Sequence, residues 1–188
     1  MIVSTKPLGG PYHKVSLFHP NSSAKEIFPG HCAKVNKRYL AIADIQGDIL
    51  SFVVKENSFL LNEPLKEITL PEGNPFRGTQ HENAIAVVGG TGIGAVTLLA
   101  KYRLRESLNF KILSFSRGLE EEKLLSEFPH LAELSKLILW NTTEHHRPQN
   151  ALDALPDLQG VHVFNAGPQS LLESLKQDPR NPVIHLNY

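Results

Sequence analysis

The chain has 188 residues, 19 basic and 19 acidic side chains, and one cysteine, Cys32. A formal net charge of zero does not suggest nucleic-acid binding. A lone cysteine excludes an intramolecular disulfide and a cysteine-ligated iron–sulfur or zinc site within the chain. No apolar run approaches the roughly 20 residues of a membrane span, and no signal peptide pattern opens the sequence. We therefore expect a cytoplasmic protein that does not enter a membrane and does not bind nucleic acid.

The first part of the chain has the pattern of antiparallel strands. Short alternations of apolar and polar residues lie at 15–18, 39–43 and 49–54, and turn residues such as Pro29-Gly30 separate them. This pattern predicts a small all-β unit.

Beyond about residue 80 the pattern changes to buried strands that alternate with helices. The predicted strands are 85–88, 111–116, 137–140 and 161–164, with a last short strand at 183–188, and the predicted helices are 95–105, 120–127 and 170–176. Such alternation is typical of a parallel sheet covered on both faces. We predict an α/β protein with an all-β N-terminal part: a small antiparallel β-barrel-like domain at 1–79, then a parallel-sheet nucleotide-binding domain at 80–188.

A glycine cluster follows the first predicted parallel strand. Gly89, Gly90, Gly92 and Gly94 stand between the apolar strand and a helix, and they allow a tight turn and a close approach of ligand to backbone. The start of a helix offers free N–H groups and the positive end of the helix dipole to a pyrophosphate. The alternative is that these glycines only pack the helix closely against the sheet.

The loop fits neither of two common phosphate-binding patterns. The first lysine after the glycines is Lys101, which is too far along the helix to serve as a P-loop lysine. Thr97 occupies the position at which glycine or alanine ends the general dinucleotide fingerprint. The glycine cluster therefore matches neither the P-loop nor the general dinucleotide fingerprint.

The sequence Gly-Gly-Thr-Gly-Ile-Gly at 89–94 resembles the loop with which the ferredoxin reductase family binds a nicotinamide dinucleotide beside a flavin domain. Other segments are similar to motifs of the same family and follow in the same order. They lie at 27–31, 37–44, 50–55, 72–76, 115–117 and 161–168.

The resemblance implies a flavin-dependent oxidoreductase, in which hydride passes from NADPH or NADH to FAD and electrons continue to an unidentified acceptor. It implies that one set of residues binds the dinucleotide at its pyrophosphate, its adenosine end and its nicotinamide side: Gly89, Gly90, Thr91, Gly92, Ile93, Gly94, Ser116, Arg117, Gly167 and Pro168. A second set corresponds to the flavin site: Arg38, Tyr39, Leu40, Ala41 and Tyr188.

The chain departs from the family pattern at several of these motifs. Leu40 replaces a Ser or Thr of the flavin strand, Ala166 replaces a Cys beside the nicotinamide, and the flavin phosphate turn is missing between 54 and 71. The part before Pro29-Gly30 is short for a six-stranded barrel, so we expect an exposed apolar edge that an acceptor protein or a second copy in a homodimer would cover. The departures leave two alternatives: a non-catalytic binding or regulatory protein, and a dinucleotide-binding module without flavin.

Two other candidate sites are weaker. Among nine histidines, His145 and His146 are adjacent but lack further ligands at helical spacing, so we predict a solvated loop and no metal site. His31 and Cys32 resemble a base and a nucleophile, but consecutive strand residues point to opposite faces. We predict no catalysis by this pair.

Overall fold

In the computed structural model, residues 1–146, 153 and 161–186 are described. Two antiparallel sheets form the N-terminal part. The first has the order β1-β2-β6-β5 and consists of β1 (Ile2–Gly9), β2 (Tyr12–Phe18), β5 (Asp44–Gln46) and β6 (Ile49–Lys55). The second has the order β4-β3-β7 and consists of β3 (Cys32–Val35), β4 (Arg38–Ala41) and β7 (Ile68–Glu72). The short helix α1 (Phe59–Asn62) lies between β6 and β7.

The N-terminal part is short, as the sequence predicts, and its strands follow one another closely. Seven strands fit before residue 73, because turns of two residues join β1 to β2, β3 to β4 and β5 to β6. Backbone with positive φ at Asn36, Lys37 and Gly47 makes two of these turns possible.

The two sheets enclose a common apolar core. Its fully buried members include Val15, Leu17, Ala33, Val35, Ile42, Leu50 and Phe52.

The C-terminal part is a five-stranded parallel sheet with helices, as predicted. Its strands are β8 (Ala84–Gly89), β9 (Lys111–Ser116), β10 (Lys136–Asn141), β11 (His162–Ala166) and β12 (Val183–Leu186), in the order β10-β9-β8-β11-β12. Its helices are α2 (Ile93–Arg105), α3 (Glu121–Glu127) and α4 (Gln169–Lys176). Short 3-10 turns lie at Ser22–Ala24, Gly90–Gly92 and Pro129–Glu133.

Alternate residues of β8 are buried on opposite faces of this sheet. Ala86 and Val88 belong to the core cluster that contains residues of α2, whereas Ile85 and Val87 belong to the cluster that contains residues of α4. The strand is therefore apolar throughout, which is typical of a parallel strand covered on both faces.

The N-terminal and C-terminal parts pack closely against each other. Leu8 and Val53 of the first part are buried in the same cluster as Val96 of α2. Lys101 Nζ lies 2.6 Å from the buried Asp44 carboxylate, and this ion pair joins α2 to β5. Because the apolar core is continuous between the two parts, the division into two domains between residues 79 and 80 stays a prediction.

No helix in the described ranges is long and apolar enough to cross a membrane.

Candidate functional site

A cleft of about 640 Å³ lies between the two parts, at the carboxyl ends of the parallel strands. The first strand, β8, is central in its sheet; β9 and β10 lie on one side of it, and β11 and β12 lie on the other. In such sheets the loops after the central strands diverge, and ligands bind in the crevice between them. Residues of β4 and β6 form the opposite wall of the cleft. Its volume lies within the range of cofactor pockets, about 300–1,000 Å³.

Most of the sequence-predicted site residues line this cleft. They are Tyr39, Leu40, Ala41, Gly89, Gly90, Thr91, Gly92, Ser116, Arg117, Gly167 and Pro168. The structure thus brings together segments from four distant parts of the chain.

Three predicted residues do not line the cleft. Ile93 is fully buried under the loop, and a Cβ on Gly94 would lie 3.2 Å from the side chain of Val53, so both residues serve packing. Arg38 donates to Glu63 Oε1 at 2.8 Å and lies over the Phe59 ring at 4.6 Å. These contacts engage its guanidinium away from the cleft. Tyr188 lies outside the described residues.

The glycines of the loop have two distinct structural roles. A Cβ on Gly92 would lie 2.0 Å from the carbonyl oxygen of Ala166, so glycine is required where the helix start meets β11. Gly90 has a φ of +59°, and a Cβ there would meet only the Tyr12 hydroxyl, at 3.7 Å. Close packing therefore explains why residue 92 is a glycine, which is the alternative to ligand binding given above. At residue 90, glycine instead leaves open space beside the cleft.

Among the residues that the structure describes, two cationic side chains and no acidic side chain line the cleft. They are Lys55 at the end of β6 and Arg117 after β9, both exposed. Neither side chain has a hydrogen bond or ion pair among the residues that the structure describes. The cleft therefore attracts anions, and a bidentate guanidinium is well suited to phosphate oxygens.

Ser116 places a buried polar atom at the cleft. Its Oγ is buried without a hydrogen-bond partner in the described part of the chain, whereas its carbonyl oxygen accepts from Thr142 N at 2.7 Å and Thr142 Oγ1 at 3.0 Å. A buried hydroxyl without a partner costs free energy unless a ligand or water satisfies it. Within the described residues, Ser116 therefore offers an unpartnered hydroxyl at the cleft.

The predicted set of site residues omits seven that line the cleft, although Phe115 and Ala166 lie in motifs that the sequence analysis used: Tyr12, Val53, Lys55, Ala95, Phe115, Thr142 and Ala166. Tyr12 and Lys55 are paired across β2 and β6, a register that the sequence pattern does not specify. Thr142 and Ala166 had a detectable signal, because each stands at or just beyond the carboxyl end of a predicted strand.

His31 and Cys32 have other hydrogen-bond partners than each other. Burial raises the pKa of the Cys32 thiol, which disfavours the thiolate. Nδ1 of His31 accepts a hydrogen bond from the Phe28 amide at 3.0 Å, and burial lowers the pKa of this ring.

Comparison with known proteins shows what this architecture is similar to. The chain is 24% identical, over 90% of its length and 74% of the other protein, to the dihydroorotate dehydrogenase B (NAD(+)) electron transfer subunit homolog of Aquifex aeolicus (strain VF5). The solved ferredoxin reductase of carbazole 1,9a-dioxygenase, in its FAD apo form, superposes with a TM-score of 0.75 and 20% identity over 99% of this chain. The fold is that of the ferredoxin reductases. No family model matches the chain.

A second solved structure has the same ferredoxin reductase fold. The NADH-dependent reduced ferredoxin-NADP oxidoreductase superposes with a TM-score of 0.72 and 18% identity over 98% of this chain. The chain spans 65% and 73% of these two solved chains, so it covers about two thirds of each. The N-terminal antiparallel sheets and the five-stranded parallel sheet both belong to the shared architecture.

Proposed function

We propose that the protein is an oxidoreductase that passes electrons from NADPH or NADH, through FAD, to an acceptor protein. The observation that carries this proposal is the cleft between the two parts, whose described lining residues include two unpaired cations and no acidic side chain. It lies where the ferredoxin reductase fold brings the carboxyl ends of the parallel strands against β4 and β6. Cofactors with phosphates fit such a cleft.

The dinucleotide is assigned to the side of the cleft formed by the parallel sheet. Gly90 leaves space for its pyrophosphate beside the start of α2. Ser116 offers its unpartnered hydroxyl and Arg117 its free guanidinium to the adenosine end. Gly167 and Pro168 border the nicotinamide side. This assignment uses residues from β8, β9 and β11, whose ends converge in the crevice.

The flavin is assigned to the opposite wall. Tyr39 is 60% exposed and lines the cleft beside Leu40 and Ala41, so its ring offers an aromatic stacking surface next to small apolar contacts. Because Arg38 is paired with Glu63, we assign the flavin phosphates to Lys55. A bound FAD supplies hydride acceptance and onward electron transfer.

The residues of the chain position and shield the two cofactors. The contact between Gly92 and Ala166 fixes the glycine loop against the end of β11, so the two sides of the crevice keep their separation. Tyr12, Val53 and Ala95 line the inner part of the cleft and limit access of water. Orientation of two reactants in one site lowers the entropic part of the barrier.

An acceptor protein is the remaining component of the proposal. The Aquifex relative is described as an electron transfer subunit, and the solved neighbour is a ferredoxin reductase in a dioxygenase. By analogy with these proteins, the acceptor of the electrons is a partner protein.

The absorption spectrum between 300 and 600 nm tests the proposal directly. We expect the purified protein, reconstituted with FAD, to show flavin bands that bleach when NADPH or NADH is added anaerobically. No uptake of FAD would contradict the flavin assignment. Bound flavin that neither nucleotide bleaches would contradict the reductase assignment.

A substitution at Arg117 tests the adenosine end. We expect Arg117→Gln to weaken NADPH binding about tenfold, roughly 1.4 kcal/mol, because it removes a charge-assisted contact to phosphate. NADH binding should change less than threefold if the contact is to a ribose 2′-phosphate. The matched control is Arg105→Gln, an exposed arginine of α2 outside the cleft, which should leave both affinities unchanged. Fluorescence titration measures both constants, and equal losses for NADPH and NADH would move the contact to the pyrophosphate.

A further inference from the structure

Three histidines that are far apart in the sequence meet at the amino ends of the parallel strands, opposite the cleft. His81 precedes β8, His162 begins β11, and His185 lies in β12. Their candidate ligand atoms all lie within 4.8 Å of one another. His162 Nδ1 and His185 Nε2 are 2.8 Å apart, and the His81 ring stacks on His162 with 3.4 Å between centroids.

The surrounding backbone holds this triad in place. The carbonyl of His81 accepts a hydrogen bond from Nη2 of the buried Arg103 at 2.8 Å. His162 and His185 stand on neighbouring paired strands, and the His185 ring stacks on Phe164. A Cβ on Gly78, where φ is +69°, would lie 2.6 Å from His81 Cδ2 and 2.8 Å from His185 Cε1. Glycine at this position leaves the room that the two rings occupy.

We propose that His81, His162 and His185 bind one divalent transition-metal ion, with Zn²⁺ as the primary candidate. Three imidazole nitrogens with a fourth position for water are an established donor set for Zn²⁺, and imidazole also suits Ni²⁺ and Cu²⁺. The site joins β12 to β11 and to the segment before β8, so the bound ion cross-links the edge of the sheet. It is independent of the proposed cofactors, since none of the three residues lines the cleft.

Small movements of side chains convert the triad into a tetrahedral site. With zinc–nitrogen distances of about 2.0–2.1 Å, tetrahedral ligand nitrogens lie about 3.4 Å apart. The pair at 2.8 Å therefore opens slightly, and the wider pairs close. The stacked His81 ring turns so that its nitrogen points to the ion, and this ring is exposed to solvent. Burial, followed by the effect of the neighbouring histidine rings, lowers the pKa of His162 and His185, which favours the neutral imidazole that a metal requires.

Calorimetric titration with ZnCl₂, on protein without an affinity tag and treated with chelator, tests the site. We expect one ion per chain and a higher Tm in zinc than in chelator. His81→Ala changes an exposed residue, so the variant should fold, and we expect it to weaken zinc binding at least tenfold. His185→Gln, at a partly buried ligand, should also lose the zinc-dependent rise in Tm.

The matched control removes the two adjacent histidines of an exposed loop. His145→Ala/His146→Ala should bind zinc as the unmodified chain does, because these residues lie outside the triad. The proposal is overturned if the unmodified chain binds no Zn²⁺ in this titration or if His81→Ala keeps full affinity for Zn²⁺. It is also overturned if the loop variant loses affinity for Zn²⁺.

Discussion

Replacement of Gly92 by alanine is expected to destabilise the protein by about 3 kcal/mol and to abolish dinucleotide binding. The new Cβ would lie 2.0 Å from the carbonyl oxygen of Ala166, and that atom belongs to backbone rather than to a flexible side chain. Relief of the overlap requires the helix start and the end of β11 to separate. The glycine loop and Gly167 would then no longer face each other across the crevice. Urea unfolding and NADPH titration measure the two effects.

The matched control for this substitution is Gly47→Ala. Gly47 has a φ of +57° in the turn between β5 and β6, and nothing lies within 4 Å of a Cβ placed there. The cost should be only that of a left-handed conformation, about 1 kcal/mol, with nucleotide affinity unchanged. Equal losses of stability in the two variants would show that the contact between Gly92 and Ala166 is not a tight constraint.

Replacement of Arg103 by leucine is expected to cost at least about 3 kcal/mol of unfolding free energy. This arginine of α2 is fully buried, and no carboxylate in the described part of the chain forms an ion pair with it. Its guanidinium donates instead to the carbonyl oxygens of Thr79, His81, Glu82 and Asn109, at 2.7–3.3 Å. Leucine has a similar apolar stem but no donors, so these acceptors would lose their partner. Urea unfolding followed by circular dichroism measures the loss.

Arg105→Leu is the control for Arg103→Leu, because it changes the same residue type two positions along the same helix. Arg105 is exposed, so its replacement should change stability by less than about 0.5 kcal/mol. A loss below 1 kcal/mol for Arg103→Leu would mean that water replaces the guanidinium at little cost. The four carbonyl contacts would then not hold the segment that precedes β8.

The strands and helices of the parallel sheet could be predicted closely from the sequence. β9 has the predicted bounds, Lys111–Ser116, and α2 begins at Ile93, two residues before its predicted start. Apolar periodicity and helix-compatible spacing are local properties, so they can be recognised in the sequence without knowledge of the fold. The N-terminal part was predicted less completely, because short strands joined by turns of two residues leave only brief patterns of alternation.

The candidate site was predictable where a motif ends a strand. The glycine loop, Ser116, Arg117, Gly167 and Pro168 line the cleft because the carboxyl ends of parallel strands share one edge of the sheet. Arg38 was assigned by motif position alone, and its pairing with Glu63, 25 residues away, could not be read from the motif.

The sequence by itself determined the order of strands and helices, the parallel character of the second sheet and the position of the glycine loop. Only the tertiary structure decided that Lys55 and Tyr12 enter the cleft and that His81, His162 and His185 meet at the opposite end of the sheet. The reason is physical: secondary structure follows from the spacing of neighbouring residues. A site joins side chains whose proximity depends on strand order and register, and these are set by packing across the whole core.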